Sequence, residues 1–236
     1  MRRFDIRFDD GIGPIRRVIE RAVHSVSERD FNMIAGIFPP FMPEQSRKIQ
    51  LTVHVEYALQ RRPETVGVAT HEGGSANVFH CVAPNDNSEI AASVQELCAS
   101  VAALMVQFLG SSTLSWSSKS CLGQGLCLSV SRDLYPQAVN VFGHAEQSWL
   151  DVRPLFDYVN KPTANSRNPS ANGCVMLFLS FLRQMGFGWH QIVLAGLPFD
   201  STPRGIYRIL TGDSADPFPP FRETILDELR RSTRYG

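Results

Sequence analysis

The pattern of apolar and polar positions is typical of strands in the first third of the chain. Apolar residues alternate with polar ones over residues 4–8 and over residues 49–57, which is the period of a half-buried strand. Residues 66–71 and 76–82 flank a turn with two glycines, which predicts a hairpin. Between the first two strands, apolar positions over 15–26 fall on one face of a predicted amphipathic helix.

The pattern changes to a helical one after residue 88. Apolar residues recur every three or four positions over 88–109 and predict a long helix there. Three more helices are predicted over 172–185, 189–195 and 203–211, because each of these segments is followed directly by a glycine. A final amphipathic helix is predicted over 221–229, after a proline-rich linker.

Together these elements predict an α+β fold class. We expect a small mixed sheet of about four strands with the long helix packed on it, followed by a mostly helical C-terminal half. Residues 1–110 should form the sheet-plus-helix subdomain and residues 111–236 the mainly helical one. Residues 111–124, rich in Ser and Gly, are predicted to be a loop. Residues 151–171 have no apolar period, and irregular loops of about twenty residues are often functional.

The composition narrows the classes of partner. Of the 236 residues, 23 are basic and 23 acidic, so no net field attracts nucleic acid and we expect no nucleic-acid partner. Five cysteines, an odd number in unrelated segments, predict buried free thiols instead of a disulfide framework. The longest apolar run, 174–179, is far shorter than the ~20 residues of a membrane span. With no leader visible, we expect a soluble, cytoplasmic protein without a membrane partner.

One segment of the predicted long helix has the form of an altered metal site. The helix contains Val94-Gln95-Glu96-Leu97-Cys98-Ala99, and Gln124 follows between two glycines. Zinc peptidases carry His-Glu-x-x-His at such a place. Residues four apart share a helix face, so two imidazoles hold one metal and the glutamate reaches its water.

The order of the elements and this segment resemble the zincin scaffold of metallopeptidases, with the predicted long helix as the zincin-type helix. The runs 172–179 and 188–193 are also similar to uncharacterised bacterial zincin-like proteins. The resemblance implies that Gln95 and Ala99 stand at the histidine positions and Gln124 at the third-ligand position. Only Glu96, at the general-base position, matches the family.

The resemblance therefore implies a degenerate zincin-like domain without zinc, without a cofactor and without zinc peptidase activity. Such a domain would act by binding a peptide or protein partner in its cleft. The candidate catalytic residue is Glu96, which is either a relic base or a solvated member of the polar stripe that includes Ser100 and Gln107. The candidates for lining the cleft are Gln95, Ala99, Gln124, His54 and His144. The oligomeric state is not predicted.

Two other classes of function stay open. An active hydrolase would use Glu96 with an unorthodox metal site, for which His54, His71 and His80 are candidates, or with a Cys or Ser nucleophile. The nucleophile candidates are Cys121, Cys127 and the serines at 115, 117, 118 and 120, paired with His144 and with Asp133 or Asp151. A structural or assembly protein would instead use the edge of the sheet as its interface. Aromatic residues such as Trp116, Trp149 and Tyr158 either line a groove or anchor the core.

Overall fold

A computed structural model describes residues 16–40, 50–57, 68–71, 75–82, 87–111, 113–117, 119–163, 167–198 and 201–232. The helices in this part of the chain are α1 (Arg16–Ala35), α2 (Asn87–Gly110), α3 (Cys121–Leu134), α4 (Val139–Leu150), α5 (Pro169–Gln184), α6 (Trp189–Ala195), α7 (Pro203–Thr211) and α8 (Phe218–Ser232). None of these helices is both long enough and apolar enough to cross a membrane.

Three short strands lie between α1 and α2. They are β1 (Gln50–Tyr57), β2 (Val68–His71) and β3 (Ser75–Val82), in the spatial order β1-β3-β2. β1 pairs with β3 in parallel, with Gln50 opposite Ser75, and β2 pairs with β3 antiparallel, with His71 opposite Ser75.

The predicted α+β fold class with its four-stranded sheet is wrong, because the described part of the protein is mainly helical. The strand expected over 4–8 lies outside the described residues. Helices also occupy more of the chain than the pattern indicates. α3 begins at Cys121, inside the predicted 111–124 loop, and α4 occupies a segment for which no element was predicted.

The glycines of α3 explain why the sequence misleads there. Glycine in a helix costs about 1 kcal/mol relative to alanine, so Gly123 and Gly125 favour a loop by local propensity. At Gly125, however, an added Cβ would lie 2.3 Å from Cγ1 of Val175. The close packing of α3 against α5 therefore requires glycine at this point, and tertiary contact outweighs propensity.

α2 closely matches the helix predicted over 88–109. Its face pattern differs from the prediction, however, because Ser100 and Gln107 are buried instead of forming a solvated stripe. Ser100 satisfies its hydroxyl within the helix, where Oγ donates to the carbonyl of Glu96 at 2.9 Å. From Leu97 to Val106 every residue is buried, as expected for a helix enclosed on all sides.

The chain divides into two compact units. The first comprises Met1–Ser112 and Val130–Phe142, and the second comprises Thr113–Ser129 and Gly143–Gly236, so two of the three boundaries fall within α3 and α4.

In the first unit, α1 packs against α2, and the core includes Ile34 and Leu97. Asp30 is only 1% exposed, and its carboxylate accepts hydrogen bonds from the Tyr135 hydroxyl and from Nε of Arg29.

Aromatic rings form the core of the second unit. Trp149 stacks on Phe221 with ring centroids 5.4 Å apart, and Phe178 meets Phe221 edge-on at 5.3 Å. The two fully buried indoles are satisfied: Nε1 of Trp149 donates to the carbonyl of Phe156 at 2.9 Å, and Nε1 of Trp116 donates to the carbonyl of Val193 at 3.0 Å. These two tryptophans anchor the core, which was one of their two predicted roles.

Candidate ligand pocket

A pocket of about 270 Å³ opens in the second unit, where the N-terminal ends of α3, α5 and α7 lie beside the irregular segment 151–163. Most of its wall is apolar. It is lined by Lys119, Ser120, Cys121, Leu122, Tyr158, Pro162, Thr163, Ala171, Val175, Ser201, Thr202 and Pro203.

Helix caps hold the polar part of this wall in place. Ser120 precedes α3, and its Oγ accepts from the amide of Gly123 at 2.9 Å. Thr202 precedes α7, and its Oγ1 accepts from the amide of Gly205 at 3.1 Å. Such caps satisfy amides that a helix start leaves without a partner inside the helix, so both side chains have fixed positions. Asn168 caps α5 in the same way.

The pocket contains both engaged and available donors. The hydroxyls of Ser120 and Ser201 already donate to backbone carbonyls. Lys119 is exposed at the edge and has no acidic partner among the described residues. The Tyr158 hydroxyl accepts from Nδ2 of Asn168 at 3.3 Å and keeps its own proton to donate. No Asp or Glu occurs among the described lining residues. The pocket therefore offers a positive charge and hydroxyl protons over an apolar wall.

The irregular segment extends the apolar surface beyond the pocket. Phe156 is about half exposed, and its ring lies 4.5 Å from that of Tyr158, measured between centroids. Asp157 stabilises the segment, because its Oδ1 accepts from the amides of Val159 and Asn160 at 3.1 and 2.9 Å. An exposed aromatic ring on an ordered turn is a common feature of recognition surfaces.

The described cysteines are poor nucleophiles. Burial raises the pKa of Cys121, which lines the pocket, above the ordinary thiol value, and raises the pKa of Cys127 and Cys174 well above it. Burial, followed by the negative charge of Asp30, raises the pKa of Cys98 to about 12. All four are free thiols, and they stay protonated at neutral pH, whereas a thiol attacks as the thiolate.

The candidate serines of the hydrolase alternative are engaged with the backbone. Oγ of Ser115 donates to the carbonyl of Pro198 at 3.2 Å, and Oγ of Ser120 donates to the carbonyl of Ser115 at 2.5 Å. Ser118 lies outside the described residues. Of the two candidate acids, Asp151 accepts from Nε2 of Gln147 at 2.5 Å, and Asp133 is exposed. These bonds give the serines a structural role in the segment that leads into α3.

The residues aligned above with the zincin helix motif, Gln95, Glu96 and Ala99, lie on α2, in the first unit. Gln95 and Glu96 are half-buried. Ala99 is fully buried, and its carbonyl accepts from Oγ of Ser131 at 3.0 Å. Ala99, to which the resemblance assigned the second histidine position, is thus enclosed in packed protein.

The other predicted cleft residues are placed elsewhere in the chain. Gln124 lies half-buried in α3, where its amide donates to the carbonyl of Ser120 at 3.0 Å, and His144 is exposed on α4. Both belong to the second unit. His54 lies in β1, opposite Phe79 of β3, and its side chain, like those of His71 and His80, lies outside the described part.

Sequence reasoning missed most of the pocket. The irregularity of 151–171 pointed to function, and this segment supplies Tyr158, Pro162 and Thr163 to the wall. The contribution of α7 had no signal in the sequence, since Thr202 and Pro203 have the ordinary appearance of a helix start.

Among the described residues, no group of three or more His, Cys, Asp or Glu side chains is arranged to hold a metal ion. Comparison with protein-family models, with curated proteins and with solved structures finds no match to this chain.

Proposed function

We propose that this chain is a binding protein that holds a short segment of a peptide or protein partner in the pocket between α3, α5 and α7. The observation that carries the proposal is the pocket itself, in which an apolar wall is combined with a few fixed polar groups. Ligand sites typically have this composition, because apolar contact supplies affinity and the polar groups orient the ligand.

Binding without cleavage is favoured over hydrolysis by the chemistry of the wall. A hydroxyl or thiol nucleophile needs a neighbouring base to take its proton. The described lining residues include no His, Asp or Glu, and burial keeps the Cys121 thiol protonated. Ser120 donates its proton to a backbone carbonyl. The pocket therefore has the features of a recognition site.

The relation to zincins stays part of the proposal. We infer that residues 95–99 correspond to a zincin helix motif that has lost its histidines, with Glu96 as the remnant of the general base. The alanine at position 99 supports this hypothesis, because its methyl group offers no metal ligand. Partner binding in the second unit does not depend on it.

The test is selection of a random heptapeptide library on the full chain, followed by titration of the enriched peptides. Ser201→Phe places a ring in the pocket from a half-buried position before α7, and we expect it to abolish binding. Ser214→Phe is the matched control, because Ser214 is exposed and does not line the pocket. It should bind like the unaltered chain.

Mass spectrometry of the bound peptides separates the two functions. Peptides recovered intact after long incubation support binding without cleavage. Cleaved peptides would instead support the hydrolase alternative. Enriched peptides that bind equally well to both variants would show that the pocket is not their site.

A further inference from the structure

We infer that the pocket recognises a carboxylate carried on a short apolar body, such as the C-terminal end of a peptide. This inference rests on the proposed function and names the chemistry of its ligand. It follows from the kind of polar group at the pocket and from the size and apolar character of the wall.

The polar groups select an acceptor with negative charge. The Lys119 ammonium has no acidic partner among the described residues, so it is available to a ligand. Thr202 accepts from an amide, Tyr158 accepts from Asn168, and neither hydroxyl donates to a described residue. A carboxylate has oxygens for several donors at once, and charge-assisted hydrogen bonds are about twice as strong as neutral ones.

A cationic end group would be repelled. No carboxylate occurs in the described wall, so a ligand ammonium would lose its hydration without gaining a partner and would face Lys119. A neutral amide end could accept from the hydroxyls but would gain less from the lysine. The site is therefore expected to discriminate between a carboxylate and its amide.

The apolar wall limits the body of the ligand. Leu122, Ala171 and Val175 line the pocket with the prolines at 162 and 203. A volume of about 270 Å³ is just below that of typical ligand pockets, which span roughly 300–1,000 Å³. A terminal residue with its neighbour therefore suits this space better than a long peptide.

The experiment compares N-acetyl-Leu-Leu with its C-terminal amide by NMR titration of the full chain. We expect the acid to bind about tenfold or more tightly than the amide. Lys119→Met should remove most of this difference, because it weakens binding of the acid much more than binding of the amide. Lys161→Met is the matched control, because Lys161 is exposed in the same unit and does not line the pocket, and it should leave both affinities unchanged. 4-Methylpentanoic acid distinguishes a free acid from a peptide end.

The outcomes separate this inference from the proposed function. The acid and the amide could bind equally well, in a way that Ser201→Phe abolishes and Lys119→Met does not change. This result would support the proposed binding function and contradict the inference of a carboxylate ligand. Failure of both probes, with selected peptides still bound in the pocket, would also overturn it. Failure of the probes and of every library peptide would remove the proposed function itself. Tighter binding of 4-methylpentanoic acid than of the dipeptide would support the carboxylate and assign it to a small free acid.

Discussion

The two units of this protein bury different kinds of side chain. The first places a carboxylate, Asp30, in its interior and satisfies it with Tyr135 and Arg29. The second stacks aromatic rings around Phe221 and has its polar groups at the pocket. Buried charge is costly unless it finds hydrogen-bond donors, whereas a core of packed rings loses contacts when a ring is replaced by a cavity. We therefore expect the first unit to respond most to removal of a hydrogen bond and the second to loss of volume.

The largest effect should come from removing a ring of the second unit. Trp149→Ala deletes a fully buried indole and its stack on Phe221, which should cost about 3–5 kcal/mol of unfolding free energy. All three tryptophans, Trp116, Trp149 and Trp189, belong to this unit, so the remaining fluorescence reports its unfolding in urea. Trp149→Phe keeps a ring and should lose less than half as much. Equal losses in the two variants would show that the indole hydrogen bond, not ring packing, dominates.

The next effect should come from adding volume where two helices of the second unit touch. A Cβ at Gly173 would lie 1.9 Å from the carbonyl oxygen of Ala145, a backbone atom that cannot rotate away. Gly173→Ala should therefore destabilise by about 1–3 kcal/mol or more, despite the better helix propensity of alanine. Gly188→Ala is the control, since its nearest neighbour is a flexible side chain at 3.4 Å. A stabilising Gly173→Ala would mean that α4 and α5 do not pack this closely.

The third prediction concerns the buried carboxylate of the first unit. Tyr135→Phe removes the hydroxyl that donates to Asp30 and should cost about 1–3 kcal/mol, because a buried charged acceptor loses a donor. Tyr158→Phe is the matched change in the second unit, where the hydroxyl is only part-buried, and should cost less than about 1 kcal/mol. Hydrogen exchange of peptides from α1 and α2 measures the first unit. Equal losses would remove the contrast between the units.

Alkaline pH tests a feature that both units share. Burial raises the pKa of Tyr135 and of the four described thiols above their unfolded values, to about 12 for Cys98. The folded protein thus keeps protons that the unfolded chain releases. Stability should be fully present below about pH 9 and fall as pH rises from 9 towards 12. Thermal unfolding measured over this range should show it, with a shallower fall for Cys98→Ala. A melting temperature independent of pH would contradict the burial of these groups.

The smallest effect is expected at the motif residue. Glu96 is half-buried, so Glu96→Gln should change the unfolding free energy by less than about 1 kcal/mol. Asp30→Asn, the same change at an acid that is 1% exposed, gives the scale for a structural carboxylate and should cost more. Urea unfolding of the two variants side by side makes the comparison. A loss at Glu96 as large as that at Asp30 would make Glu96 a structural acid of the first unit.

Several elements could be read from the sequence almost to the residue. α6 and α7 have the bounds predicted for them, and α2 differs from its prediction by one residue at each end. In each case the local signals agree. α7 has Thr202 as its cap, Pro203 in the first turn and Gly212 in the left-handed region at φ 72°. Such signals act within one turn of helix and need no knowledge of the rest of the chain.

Local sequence signals of this kind did not predict the candidate pocket. The sequence drew attention to Glu96 and Gln124 because they stand in a familiar spacing, whereas the pocket is built from four separated segments. Of its lining residues, only Tyr158, Ser120 and Cys121 had been singled out, the first as an aromatic residue and the other two as candidate nucleophiles. A pocket is a property of how helix ends converge in space, and no local pattern carries that information.

The sequence by itself determined where α6 and α7 begin and end, because caps, prolines and glycines act on neighbouring backbone. It also indicated an apolar face on α2, which is buried around Leu97, but not the burial of Ser100 and Gln107 on the same helix. Only the tertiary structure decided that Gly125 lies inside a helix against Val175, that Asp30 is buried beside Tyr135, and that Lys119 stands over an apolar pocket. These features depend on contacts between residues far apart in the chain, and such contacts can outweigh local propensity by several kcal/mol.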